Sequence, residues 1–487
     1  MTHEDEQELD PKEQFLFTVA YLGDEFWRKM DALLEVAGVA SPQIKKLDTD
    51  FIPSMMDPVF ERLSQEEFKK ISDAFDRYEM EVKEGRHPSI MSIMWEAVKD
   101  DAWGPGWMHH FQEALRRSPR LPMFFQSTVV SAVSNFEVLL AGLVSNFYEI
   151  APQALEASSR DKGKEFSLRE LKEMKDLEDA IKIAIDRRVD EFMFGSFNDW
   201  RKFFADKMKL DFEDYAIDWD FLQEVFQRRH VIVHNGGHAS RRYIQSVGAG
   251  LRKGVKEGDY LQVDENYLNK ATYELLCFGY LLMGAVALKF ATGHSSEALA
   301  RVHDFTYQNL VKGRYELVKK CASYGVEVSS SMADELLFRI NSWISRQRMG
   351  DGSVLQEVED WDVDALSPRF VLAKYCLLSE NAEAMQVLRG LYESGDVDFE
   401  NLIEWPLLEP LRGTDDYQEL VRNAEVPEDW RFAEQVLFEN PKTAMLHTRR
   451  CVLVRADFKR RSMGQIDLTS ALLCKRCKPS TALGDVK

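Results

Sequence analysis

The chain has 487 residues and a mass of 56.3 kDa, which at ordinary domain sizes suggests about three folding units. A hydrophobic share of 45% and a charged share of 30% exclude wholesale disorder, a collagen-like fibre and a disulfide-stapled miniprotein. Sixty-two basic against 82 acidic residues give a net charge of -20, which excludes a protein that coats nucleic acid with its whole surface but not one with a local basic site.

The N-terminus, Met1-Thr2-His3-Glu4-Asp5-Glu6, is acidic and lacks the basic and apolar regions of a signal peptide. Residues 1–13 are expected to fray. The six cysteines are sparse and mostly far apart, and three of them, at 277, 321 and 376, fall in apolar helical contexts. That usage points to a reducing, cytoplasmic compartment. The longest apolar run, Leu275 to Phe290, is at about 16 residues short for a membrane span and reads as a core helix. No membrane association is expected.

Apolar residues recur at helical spacing along nearly the whole chain, so the expected class is all-α. A first block covers residues 1–110. Within it 47–53 reads as an irregular connection, and Ser64-Gln65-Glu66-Glu67 reads as a capping box. Trp103-Gly104-Pro105-Gly106-Trp107 is a breaker that sets the first boundary. A second block, 120–293, opens with a long helix, Ser127 to Tyr148, in which Glu137 is embedded. Helices over 177–194, 197–209 and 219–234 follow. The last of these is stopped by Asn235-Gly236-Gly237, because glycine tolerates the left-handed backbone of a C-cap. The helix from Asn266 to Phe290 is the most apolar and is expected at the centre. A third block, 295–445, reads as helical hairpins with a weak repeat-like look around 382–393. Residues 446–487 form a basic tail, read as a solvated segment, with a nucleic-acid arm as the other option.

The stretch from Trp219 to Gly237 carries the most chemistry. It sets Arg228, Arg229, His230 and His234 at the end of an amphipathic helix. His230 and His234 share a face at i,i+4, whereas Arg229 and His234 share one only if the helix tightens or widens near its end. A guanidinium binds phosphate oxygens bidentately and stays charged. An imidazole takes or gives a proton near neutral pH. Together they suffice for RNA cleavage with the 2′-hydroxyl as nucleophile and no metal, leaving a 2′,3′-cyclic phosphate and a 5′-hydroxyl. The Arg-x4-His spacing alone is a weak signal, and the histidine pair has no evident third metal ligand. Arg241 and Arg242 also flank the helix end and, with Arg228, are candidates for steering RNA backbone. Cys474-Lys475-Arg476-Cys477 has zinc-knuckle spacing but no second such pair, so no metal and no other cofactor is expected. Neither a Walker-type phosphate loop nor a serine nucleophile elbow is present.

The run Arg229-His230-Val231-Ile232-Val233-His234-Asn235-Gly236-Gly237 resembles the signature of the HEPN superfamily. That signature is an arginine, then a polar residue, then a histidine a few positions on. The likeness covers about 120–293, with Phe136-Glu137 in a helix like the family's opening one. The resemblance implies a helical bundle that dimerises and a composite ribonuclease site in which two such helices face each other. The Asn-Gly-Gly that follows and the later Tyr243 also resemble members of the family found in bacterial anti-phage defence and toxin-like proteins. Carried onto this chain, the resemblance makes Arg229 the holder of the scissile phosphate and His234 the group handling the proton, with His230 in support. Glu137 is either a partner for Arg229 at the site or one half of a structural ion pair. The implied partners are RNA, a second copy of the chain and a restraining protein. The rival reading is a non-catalytic adaptor that dimerises through the bundle and binds protein through residues 295–445. A third is a nucleotidyltransferase partner that would modify Tyr243.

Overall fold

A computed structural model describes residues 10–424 apart from 61–62, 85, 87, 116–119, 157–165 and 213–214. Beyond them it describes 436–448, 451, 454, 458–462, 472 and 474. The acidic start therefore falls largely outside the described residues, as do Cys477 and most of the C-terminal segment. The described chain is mostly helical and forms two compact units, Met1–Ala298 and Leu299–Lys487. The blocks read from sequence as 1–110 and 120–293 thus share one unit.

In the first unit, α1 (Pro11–Phe60) is followed by α2 (Gln65–Lys83), α3 (Ile90–Val98), α4 (Gly104–Leu115) and α5 (Arg120–Ile150). Two short helices, α6 (Gln153–Glu156) and α7 (Leu168–Glu173), lead to α8 (Leu177–Met193), α9 (Phe197–Asp206) and α10 (Trp219–Asn235). The unit closes with α11 (Arg241–Ser246), α12 (Ala249–Arg252) and α13 (Glu265–Phe290). The core is where α1, α5 and α13 lie side by side. Phe136 sits fully buried at its centre, with ring contacts to Phe26 on α1 at 6.0 Å, Phe226 on α10 at 5.9 Å and Phe278 on α13 at 5.4 Å. The α1 ring needs a glycine opposite it, since a Cβ at Gly279 would stand 2.5 Å from Phe26 Cε1. By length and composition α13 passes as a membrane span, yet 89% of its apolar window is buried in the unit; the stretch 104–150 passes too, with half its window buried.

Two sequence expectations are corrected here. Residues 47–53 are not an irregular connection, because α1 runs through them. The polar stretch has a different job: Asp48 accepts the N–H groups of Leu121 at 2.9 Å and Arg120 at 3.2 Å, capping the start of α5 from another helix. Its slight burial raises the carboxyl pKa, but those donors and the Arg120 guanidinium lower it more, and the net direction is down. The Gly104-Pro105-Gly106 breaker starts a helix rather than ending a domain, since proline and glycine are tolerated in a first turn. What stands apart near there is a satellite core of α2, α3 and α4, built on Ile71, Met94, Trp107 and Phe111. The Ser64 capping box forms as expected.

In the second unit α14 (Ser295–Val311), which carries the chain in, α15 (Tyr315–Val328), α16 (Met332–Arg348) and α17 (Ser353–Glu359) precede α18 (Pro368–Leu378) and α19 (Asn381–Glu393). Then come α20 (Phe399–Glu404), a 3-10 turn over Pro406–Leu411 and α21 (Asp415–Asn423). Helices α15 with α16, and α18 with α19, form antiparallel pairs around Trp343, Leu372, Leu388, Leu408 and Tyr417. The basic tail is corrected as well. Its described part is a sheet of β1 (Val436–Glu439), β2 (Leu446–Thr448) and β3 (Lys459–Ser462), in the order β2-β1-β3 and antiparallel throughout. The exposed Lys459 and Arg461 belong to an edge strand, where charge discourages pairing with other chains. Arg461 is also paired with Glu439 at 2.6 Å.

Candidate active site

Helix α10 is capped by Asp218 at its start and ended by Gly236 in the left-handed region, φ 60°. Gly237 follows at φ 85°, and its N–H returns to the Val231 carbonyl at 3.2 Å. A Cβ there would lie 2.7 Å from the Tyr260 ring and 3.1 Å from Gln126 Nε2. Tyr260 in turn accepts from Gln126 of α5 at 2.7 Å, so the glycine fixes the end of α10 against both.

The helix remains α-helical to Asn235, so Arg229 and His234 project about 140° apart and do not share a face. Arg229 points to α5, where its Nη2 donates to Glu137 Oε2 at 2.8 Å. Both side chains are largely covered, and Arg229 Nε is buried with no hydrogen-bond partner among the described residues. Burial pushes the Glu137 carboxyl pKa up and the Arg229 charge pulls it back; the net direction is up.

His230 and His234 do share a face, with ring centroids 4.6 Å apart. His234 is exposed and His230 half-buried. Burial, with the nearby charges of His234, Arg242 and Arg229, holds the His230 pKa below its ordinary value. Arg241 and Arg242 are exposed in the first turn of α11.

Arg228 does not belong with them. It turns inward, donating to Glu224 at 2.7 Å and to the Gln262 carbonyl at 2.5 Å, and stacks over the Tyr267 ring at 4.2 Å. The expected RNA contact by Arg228 is therefore replaced by a structural role. Its acceptor, Glu224, is 2% exposed and also takes the hydroxyls of Tyr243 at 2.7 Å and Tyr267 at 2.6 Å. Burial raises the pKa of both phenols, so they serve as donors. Tyr243 is fully buried and its hydroxyl is engaged, which leaves nothing for a modifying enzyme to reach. Sequence reading missed this cluster, although Glu224 and Arg228 at i,i+4 on a helix gave a signal for it.

His238 lies past the glycines and binds the Gly258 carbonyl at 3.0 Å, stitching the loop after α10 rather than joining the histidine pair. His109 and His110 are exposed on α4. The arrangement as a whole offers an exposed imidazole, a neutral imidazole beside it, an anchored guanidinium one helix face away and two free-facing arginines.

No family model, curated protein or solved structure matches the chain.

Proposed function

We propose that this chain is a metal-independent endoribonuclease of HEPN type, cytoplasmic and homodimeric, serving anti-phage defence or a toxin-like response. The observation that carries the reading is the His230–His234 pair at the exposed end of α10, with the Arg229 guanidinium anchored one helix face away. In the reaction, the RNA 2′-oxygen attacks the adjacent phosphorus and the bond to the 5′-oxygen breaks. His234 takes the 2′-hydroxyl proton, a proton is delivered to the departing 5′-oxygen to give the 5′-hydroxyl, and Arg229 faces the phosphorane charge. His230, kept neutral near pH 7, accepts or relays a proton without repelling its neighbour. The 140° between Arg229 and His234 is accommodated if a second copy completes the site, each α10 end supplying part of it. Arg241 and Arg242 supply local positive charge on a chain whose net charge is -20. Arg229 resting on Glu137 gives the restraint that a cytoplasmic ribonuclease needs.

That same ion pair favours a second reading, the non-catalytic adaptor, in which Arg229 and Glu137 only join two helices. Incubating the purified chain with total RNA, with and without EDTA, separates them. Fragments ending in 2′,3′-cyclic phosphate in both tubes support the ribonuclease. Intact RNA with a dimeric chain supports the adaptor.

A further inference from the structure

Far along the chain from that site, in the second unit, three soft metal donors converge. His447 lies on β2, Cys451 just after it, and Cys474 on the segment that returns beside β2. The return is fixed by backbone: Leu446 donates its N–H to the Leu472 carbonyl at 2.7 Å, and Cys474 donates to the Leu446 carbonyl at 3.0 Å. The Val454 N–H donates to the Cys451 carbonyl at 2.8 Å. All three side chains are buried, at 2%, 5% and 3% exposure.

Their donor atoms lie within 4.8 Å of one another. His447 Nδ1 is 3.2 Å from Cys451 Sγ, and the two sulfurs are 4.0 Å apart. A disulfide requires about 2.05 Å. Two thiolates on one tetrahedral zinc, each at about 2.3 Å, stand about 3.8 Å apart. The second histidine nitrogen, Nε2, is buried with no hydrogen-bond partner among the described residues. A buried imidazole whose Nδ1 faces two buried thiols at near-contact distance is an apt ligand set.

We propose that His447, Cys451 and Cys474 hold a structural zinc ion. The donor set, two sulfurs and one imidazole, suits zinc rather than the hard cations that prefer oxygen. Binding displaces the two thiol protons, so the ion meets two thiolates and a neutral imidazole. The fold supplies a reason for the ion. Strands of three or four residues are too short to stabilise a sheet alone, and a metal clip tying β2 to the returning segment does so. The sequence holds no second Cys-x2-Cys pair to match Cys474 and Cys477. What the fold brings up is instead a His-x3-Cys half, His447 with Cys451. Cys477 follows Cys474 at ligand spacing and lies outside the described residues.

The test uses the full-length chain purified under reducing conditions without chelator. Metal analysis should find about one zinc per chain. Cys451→Ser and Cys474→Ser should each lower it about tenfold or more, while Cys277→Ala, which alters a buried cysteine of α13, keeps it. Should the serine variants fail to fold, the unaltered chain still decides. Replacing zinc by cobalt should give the intense visible bands of a tetrahedral thiolate site, and zinc should protect Cys451 and Cys474 from alkylation until a strong chelator is added. Absence of zinc and of cobalt bands in the folded chain overturns the proposal, as does full zinc retention by both serine variants. An Arg229→Ala chain should keep its zinc, so this outcome and that of the cleavage assay are independent.

Discussion

Arg229 on α10 and Glu137 on α5 meet at 2.8 Å, and the guanidinium proposed to hold a phosphate is thereby held by a carboxylate of its own chain. Glu137 follows Phe136, the ring at the centre of the core, so the carboxylate's place is set by the packing of four helices. Glu137→Gln removes the charge and keeps the shape. Since burial costs the carboxylate more than Arg229 returns, the change should move stability by less than about 1 kcal/mol, as read by urea unfolding. It should also tighten RNA binding, because Arg229 is released. Weaker RNA binding by this variant would show that the pair is part of the RNA site and not its restraint.

The second prediction concerns Arg228 and its neighbours on α11. Arg228→Ala leaves Glu224 buried without its cation and should cost about 3–5 kcal/mol. Arg241→Ala and Arg242→Ala are surface changes and should stay within about 0.5 kcal/mol while flattening the salt dependence of RNA binding. Arg228→Ala unfolding at the wild-type urea midpoint would contradict the buried network.

His230 predicts a pH effect. Burial and neighbouring positive charge lower its folded-state pKa below the ordinary 6.5. The unfolded chain therefore takes up the proton first as pH falls. The stability linked to this group is complete above pH 6.5 and declines as pH drops from there through the folded value. His230→Gln should flatten that part of the stability profile between pH 7 and 5, measured by chemical denaturation at several pH values. An unchanged slope would mean that His230 titrates alike in both states.

Gly237 tests the end of α10. Gly237→Ala meets both a φ of 85° and the Tyr260 ring, and should lose about 1–3 kcal/mol. Adding Tyr260→Ala removes the clash and leaves the backbone strain, so the double variant should recover part of the loss on top of what Tyr260→Ala costs alone. Strict additivity would show that the ring is not what excludes a side chain there.

Much of the helical order was legible. The Ser64 capping box, the Asn-Gly-Gly stop and the apolar run of α13 each encode a local event, and each forms at the expected place. What escaped were partnerships across the chain. Asp48 looked like a loop residue because its partners, the N–H groups of 120 and 121, belong to another helix. Arg228 and Arg229 are neighbours with equal charge, and only the packing turns one to Glu224 and the other to Glu137. The C-terminal segment reads as basic tail because its sheet is held by residues spaced from 436 to 474, beyond the reach of periodicity.

The chemistry proposed for the α10 end can be read from the cleavage of a single substrate. A DNA oligonucleotide carrying a single ribonucleotide is incubated with the chain, with its His234→Ala variant and with its Arg229→Ala variant, and the ends are identified by mass. Cleavage is expected only at the ribonucleotide, leaving a 2′,3′-cyclic phosphate and a 5′-hydroxyl, with a loss of about 100-fold or more in each variant. Full cleavage by folded variants, or no cleavage of this oligonucleotide or of any RNA by the dimeric wild-type chain, contradicts the proposed chemistry.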